Sequence, residues 1–278
     1  IYANGSSLNY LSINCFTFET KLGSVTSAYS VGKPFDVLVA NEKIYVSWVY
    51  SATPAINIIN FDKFLNIQKS FTVSGDATVL SLACDSTTQN IWLSYYNSAS
   101  SLGYSIAVTD VLESIGTILV PIQIINGITV TNITSYAFND SCEVFFEVEN
   151  FYTYDLSVQT NYINKRSINI NGTLGSISIV LRSVGLASKA FKINDKIYFA
   201  IAYENTNQST YFVTDSNGNI CAKLAYQNGG GYYRNKCLPS VSIIENKANF
   251  PYFEKKDTNI ESHTSVYPSV ALRSAAFQ

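Results

Sequence analysis

Three acids recur at one place in a repeated strand pattern: Asp62 in IINFDKF, Asp110 in IAVTDVL and Asp215 in YFVTDSNGN. Paired carboxylates are what glycoside hydrolysis needs, one to protonate the leaving oxygen and one to attack or to activate water. Each of these acids, however, follows an apolar strand at a turn. There an Asp side chain accepts backbone N–H groups and closes the turn. Hairpin chemistry is the expected role, at equivalent positions in each repeat.

Other chemistry-bearing residues are sparse. His263 is the single histidine and sits in a polar stretch, so a triad, a His-ligated zinc or His acid–base catalysis would all rest on it. Gly229, Gly230 and Gly231 in QNGGGYYRNK lack the Gly-Lys-Ser/Thr ending of a phosphate loop and follow a strand without opening a helix. Asp215-Ser216-Asn217-Gly218-Asn219 begins like a calcium loop, but its twelfth position is Tyr226 where a bidentate Glu belongs. An Asn-Gly hairpin turn accounts for it. The cysteines Cys15, Cys84, Cys142, Cys221 and Cys237 are odd in number and widely spaced, which predicts free thiols behaving as small hydrophobes. Five sequons start at Asn4, Asn132, Asn139, Asn171 and Asn207, a number that an Asn-, Ser- and Thr-rich chain yields without selection. The expectation is therefore no catalytic residue, no cofactor, no metal, and a protein that is not an enzyme.

What positions these residues is a repeat. The strands IYVSWVY, IWLSYYN, VFFEVEN and IYFAIAY begin at Ile44, Ile91, Val144 and Ile197, and a half-copy is anchored at Phe250. The anchors are separated by 47, 53, 53 and 53 residues. In the copies at Ile44, Ile91 and Ile197 an acid follows 18, 19 and 18 residues on; the copy at Val144 has only a polar turn near Asn164. A weaker half-copy, FTFETKLGSV, lies near Glu19. Each period holds four short strands, as in TVLSLAC, IWLSYY, GYSIAV and GTILVPI. The second strand of each is apolar on both faces and must be covered on both sides. Four strands per 47–53 residues predict an all-β, β-propeller-like fold with five or more blades. The chain opens on what read as the third and fourth strands of a blade. The expected domain is residues 1–256, followed by an exit linker over 257–278. With no Met and a start at Ile1, the chain is expected to be a processed product or part of something longer.

Composition bounds the partners. Net charge is −2 and charged residues are 14%, so there is no basic surface for gripping nucleic acid and no polybasic patch for lipid. No apolar run reaches the roughly 18 residues that span a bilayer. Aromatics are 14%, and a surface so poor in charge suits a protein packed against neighbours.

The segment from Ile197 to Asp257, with Tyr203-Glu204, the Thr210-Tyr211-Phe212 strand, the Asp215-to-Asn219 turn, Ala222-Lys223-Leu224-Ala225-Tyr226 and Leu238-Pro239-Ser240-Val241, resembles tail nozzle (tail tubular or hub) proteins of short-tailed bacteriophages. The likeness covers about 60 residues directly. It implies a virion protein of the phage tail: a homo-oligomeric ring that contacts adaptor and fibre proteins, closes the tail channel, and lets DNA pass on ejection through contacts that read no sequence. The rival expectation is a glycan-binding or glycan-hydrolysing propeller on a cell or virion surface. Exposed aromatics and recurrent acids serve that role too.

Overall fold

A computed structural model describes the backbone of residues 1–14, 16–50, 52–123, 128–150 and 162–182, and beyond these the strands named below. The fold is all-β and propeller-like: successive antiparallel meanders in which each strand pairs with the next. The first sheet has three strands, β1 (Tyr2–Asn4), β2 (Ser7–Ile13) and β3 (Thr20–Thr26). Four-stranded sheets follow: β4 (Phe35–Ala40), β5 (Lys43–Val49), β6 (Ala55–Phe61) and β7 (Ile67–Ser74); then β8 (Val79–Cys84), β9 (Ile91–Asn97), β10 (Leu102–Val108) and β11 (Ser114–Gln123). The next two are β12 (Ile128–Phe138), β13 (Ser141–Asn150), β14 (Tyr162–Asn169) and β15 (Ser178–Arg182), and β16 (Leu186–Ile193), β17 (Lys196–Asn205), β18 (Gln208–Asp215) and β19 (Ile220–Gln227). The expected strands of the second period coincide with β8 to β11. Short strands β20 (Tyr232–Tyr233), β21 (Ser242–Ile244), β22 (Lys247–Asn249), β23 (Glu254–Lys256) and β24 (Asn259–Glu261) complete the series, so pairing extends past residue 256.

The chain divides into two compact units. One comprises Ile1–Asn126, Ala137–Glu143 and Ser167–Gly175; the other comprises Gly127–Tyr136, Val144–Arg166 and Ser176–Gln278. In the first unit, one core lies between the β1–β3 and β4–β7 sheets, built from Leu8, Val25, Val46, Trp48, Ile59 and Phe61. A second lies between β4–β7 and β8–β11, built from residues such as Tyr45, Ile56, Ile58, Leu93, Tyr95 and Ile106. Residues 44, 46 and 48 of β5 face one core while 45 and 49 face the other. This two-sided burial is why β5 carries apolar residues on both of its faces.

Turn chemistry sets the repeat. Asn41 and Glu42 take φ of 53° and 56°, and Asn139 and Asp140 take 52° and 58°, the left-handed pair that a two-residue hairpin demands. The turns after the third strands share another geometry. Asp62, Thr109 and Asn169 each donate N–H to the residue four ahead, Asn66, Glu113 and Thr173, at 2.8–3.0 Å. Each also accepts through its C=O from the residue three ahead: Leu65, Leu112 and Gly172. Those residues sit at φ of 66°, 61° and 94°.

Two expectations are corrected here. Asp110 is not the equivalent of Asp62; Thr109 is, because Ile44 pairs with Phe61 and Ile91 with Val108, which leaves Asp110 one residue further on. In the copy at Val144 the polar turn lies at Asn169–Thr173, while Asn164 is inside β14. The connection from β13 to β14 is longer than its counterparts, so counting from the anchor placed the turn too early.

Close packing of neighbouring strands is exposed at Gly103 in β10. A Cβ there would lie 2.7 Å from the Cβ of the buried Ile122 in β11. Gly103→Ala should lower the unfolding free energy by about 1–3 kcal/mol, as overpacking does. Chemical denaturation checks it, and the change should appear in the midpoint with the slope unaltered.

Candidate functional site: an aromatic rim beside a polar cleft

Asp36, Asp62, Asp76, Asp85 and Asp110 are consumed by the fold. Asp36 accepts its neighbour's N–H (Val37, 2.8 Å) and that of Leu82 on β8 (2.9 Å). Asp76 pairs with Lys33 at 2.7 Å and caps Ala77. Asp85 is fully buried and accepts from Thr87, Thr88 and, at 2.7 Å, from Asp140. Asp110 binds Lys43 at 2.6 Å, and its carbonyl accepts from Tyr45, Asn60 and Lys43. Burial pushes the Tyr45 phenol up to about 12, opposed by an Asn41 hydrogen bond and helped by the Asp110 charge; its hydroxyl therefore stays a donor. Asp62 and Asp110 thus serve different ends. Asp62 closes its own turn through Phe64 N–H, Asn66 N–H, and the Asn66 and Gln68 amides. Asp110 ties its turn to the neighbouring sheet. Asp215 ends β18, and its side chain, like His263 and Gly229 to Gly231, lies outside the described residues. Neither Cys84 nor Cys142 is in a disulfide, as expected. No group of three or more His, Cys, Asp or Glu that could hold a metal occurs among the described residues. Nor is any helix among them long and apolar enough to cross a membrane.

What the sequence did not single out is the rim formed by two turn tips. Between β2 and β3, Asn14 Oδ1 accepts the N–H groups of Phe16 and Thr17, and Asn14 C=O accepts that of Phe18, which takes φ 58°. The tip is wound tightly, and its two phenyl rings point outward: Phe16 is 90% exposed and Phe18 77%. Between β6 and β7, the Asp62 turn presents Phe64, 67% exposed, with the Lys63 ammonium 5.4 Å from its ring centroid. Lys21 joins the two tips by donating to the Phe64 carbonyl at 3.1 Å. Beside them opens a cleft of about 610 Å³ lined by Ser12, Asn14, Glu19, Thr20 and Lys21.

The electrostatics are those of a polar, hydrated site. Hydrogen bonds from the Asn66 backbone and side chain, with smaller help from Phe64 N–H and the Lys21 charge, hold the Asp62 carboxyl below the usual carboxylate range. Asp62 is an ionised acceptor there; a general acid would need the opposite shift. Because the folded-state value is depressed, the turn's contribution is present above the unfolded value of about 4 and fades as pH falls through the folded one. A carbon-detected NMR titration should put the Asp62 midpoint below that of an unstructured Asp, and Asn66→Ala should move it back up.

No family model matches the chain, and no curated protein matches it. Solved structures do. The chain is similar to a Synechocystis apocarotenoid oxygenase (TM-score 0.50, 10% identity, 87% of this chain and 60% of that one). It is also similar to a GH43 β-1,3-galactosidase (TM-score 0.48, 11% identity, 84% and 61%) and to the polysaccharide lyase Uly1 (0.47, 8%, 82% and 56%). The chain therefore spans about three fifths of the length of these proteins. The likeness is one of fold. It corrects one expectation: that the chain is not an enzyme has no footing, since the Synechocystis apocarotenoid oxygenase, to whose fold the chain is similar, is by its name an enzyme.

Proposed function

We propose that the chain is a glycan-active β-propeller domain that engages a carbohydrate chain at the rim of Phe16, Phe18 and Phe64. The observation that carries this reading is the pairing of three exposed phenyl rings with a cleft of amide, hydroxyl, carboxylate and ammonium groups. A pyranose offers two chemistries at once, a patch of axial C–H bonds that stacks on an aromatic face and hydroxyls that both donate and accept. The rings meet the first, and Asn14, Glu19 and Lys21 meet the second. Exposed aromatic surface in water has a cost that a bound sugar would relieve.

Affinity electrophoresis through neutral and acidic polysaccharides tests it. Retardation on at least one polymer is expected. The Phe16→Ala/Phe18→Ala double variant should lose that affinity by tenfold or more, with an unchanged unfolding midpoint because both rings are already in solvent. No retardation on any polymer, or a double variant that binds as well as the parent, overturns the reading. Release of reducing ends or of unsaturated products from the retained polymer then separates binding from hydrolysis or lyase action.

A second reading follows the resemblance to phage tail nozzle proteins, in which this chain is one subunit of a ring in the virion. The uncovered apolar residues Leu11, Ile13 and Leu22 on the β1–β3 sheet favour it, because such a surface suits burial against another subunit. Electron microscopy of the native particle tests it: copies arranged coaxially about a tail channel support the ring, and isolated copies sink it.

A further inference from the structure

Two ammonium groups stand at the rim without a carboxylate partner. Away from it, Lys33 and Lys43 are each spent on an aspartate, at 2.7 and 2.6 Å. Lys21 and Lys63 are in no ion pair among the described residues. Lys21 Nζ donates to a neutral acceptor, the Phe64 carbonyl, at 3.1 Å, which leaves two of its three N–H groups without a partner among the described residues. Lys63 Nζ lies 5.4 Å from the centroid of the Phe64 ring. Both charges therefore gather round one exposed phenylalanine, in a chain whose net charge is −2.

The carboxylates of the two turn tips are already engaged. One oxygen of Asp62 takes the Phe64 and Asn66 N–H groups, and the other takes the Asn66 and Gln68 amides. Glu19, the one acid among the residues lining the cleft, turns Oε2 to the Thr17 hydroxyl at 3.2 Å. A neutral sugar offers an ammonium little that water does not. A carboxylate or sulfate on the sugar ring does, because hydrogen bonds between ionised partners are the strong ones. Lysine recognises either group, since its ammonium is a point charge with freely turning donors.

We propose that the rim selects acidic polysaccharides: Lys21 and Lys63 hold the anionic substituent of a pyranose, carboxylate or sulfate, while the face of the sugar lies on the phenyl rings. This rests on the carbohydrate reading of the rim and names the class of glycan it takes. Glu19 is the opposing charge. It limits how closely an anion approaches Lys21, so the affinity is moderate by construction and its removal tightens the site. Exposed charges are screened by salt, so the preference for acidic chains fades as ionic strength rises.

Affinity electrophoresis of the full chain tests it with matched polymers: polygalacturonate against its methyl ester, and dextran sulfate against dextran. At least one charged polymer should retard the chain about tenfold more strongly than its neutral partner, and which pair does so tells carboxylate from sulfate. Bulk attraction does not account for that result, because the chain as a whole is acidic. Lys21→Gln/Lys63→Gln should lose about tenfold in affinity for the charged polymer and keep the weaker affinity for the neutral one. Glu19→Gln should gain about two- to threefold on the charged polymer alone, a gain that a folding defect does not produce. Equal retardation by charged and neutral polymers overturns this inference and leaves the carbohydrate reading standing, whereas no retardation by any of the four overturns both. A double lysine variant that binds like the parent also overturns it, as does equally strong retardation by polyglutamate, which carries charge without sugar.

Discussion

Replacing Asp85 by alanine should lower the unfolding free energy by about 2–4 kcal/mol, the cost of orphaning buried donors that had a charged acceptor. Asp85 has no exposed surface, and its carboxylate gathers three N–H groups: those of Thr87 and Thr88 in its own turn and that of Asp140 from the hairpin tip after β12. A parallel bridge from Asp85 to Ala137 runs beside it. Loss of the side chain thus unties one turn internally and cuts it from a second. Asp85→Asn keeps one oxygen and should recover part of the loss. Asp62→Ala is the contrast. It removes the same Asx-type chemistry from an exposed turn, where water replaces the acceptor, and should cost clearly less than Asp85→Ala. Equal losses at the two sites, measured by urea unfolding, would mean that burial of Asp85 is not what makes it structural.

Trp92→Ala should cost about 3–5 kcal/mol, the range for emptying a large core site. Trp92 is 1% exposed in β9, among the largest fully buried side chains. Its indole Nε1–H finds no acceptor among the described residues. That donor is buried at a loss, so Trp92→Phe should recover most of the stability of the parent: it gives up some volume and also removes an unpaired N–H. Thermal unfolding of both variants checks the pair. A Phe variant as damaged as the Ala variant would show that the indole N–H has a partner that matters.

These results bear on how the fold encodes itself. The apolar anchors at Ile44, Ile91 and Val144 are legible because a strand covered on both faces is apolar on both, and few other environments ask for that. Turn residues are legible for a similar local reason: Asn41 and Asn139 take φ values that most side chains resist. The acids were legible only as turn residues. Asp62 is one, whereas Asp110 reaches out to Lys43, 67 positions away in sequence. Two adjacent residues of a turn can point into it or away from it, and local pattern does not separate them.

The rim shows the same division. Phe16 and Phe18 read as strand residues in FTFETKLGSV, since alternating aromatics are what a half-buried strand offers. The structure puts both in a turn wound around Asn14, beside a second turn carrying Phe64 from more than forty residues later. By itself the sequence determined the all-β class, the four-strand period and the placing of most turns, all of which depend on backbone preference and on the alternation of apolar side chains over a few residues. Which carboxylates are spent on the fold and which aromatics remain in water were settled by the folded chain. Each of those depends on residues distant in sequence arriving, or failing to arrive, within about 4 Å.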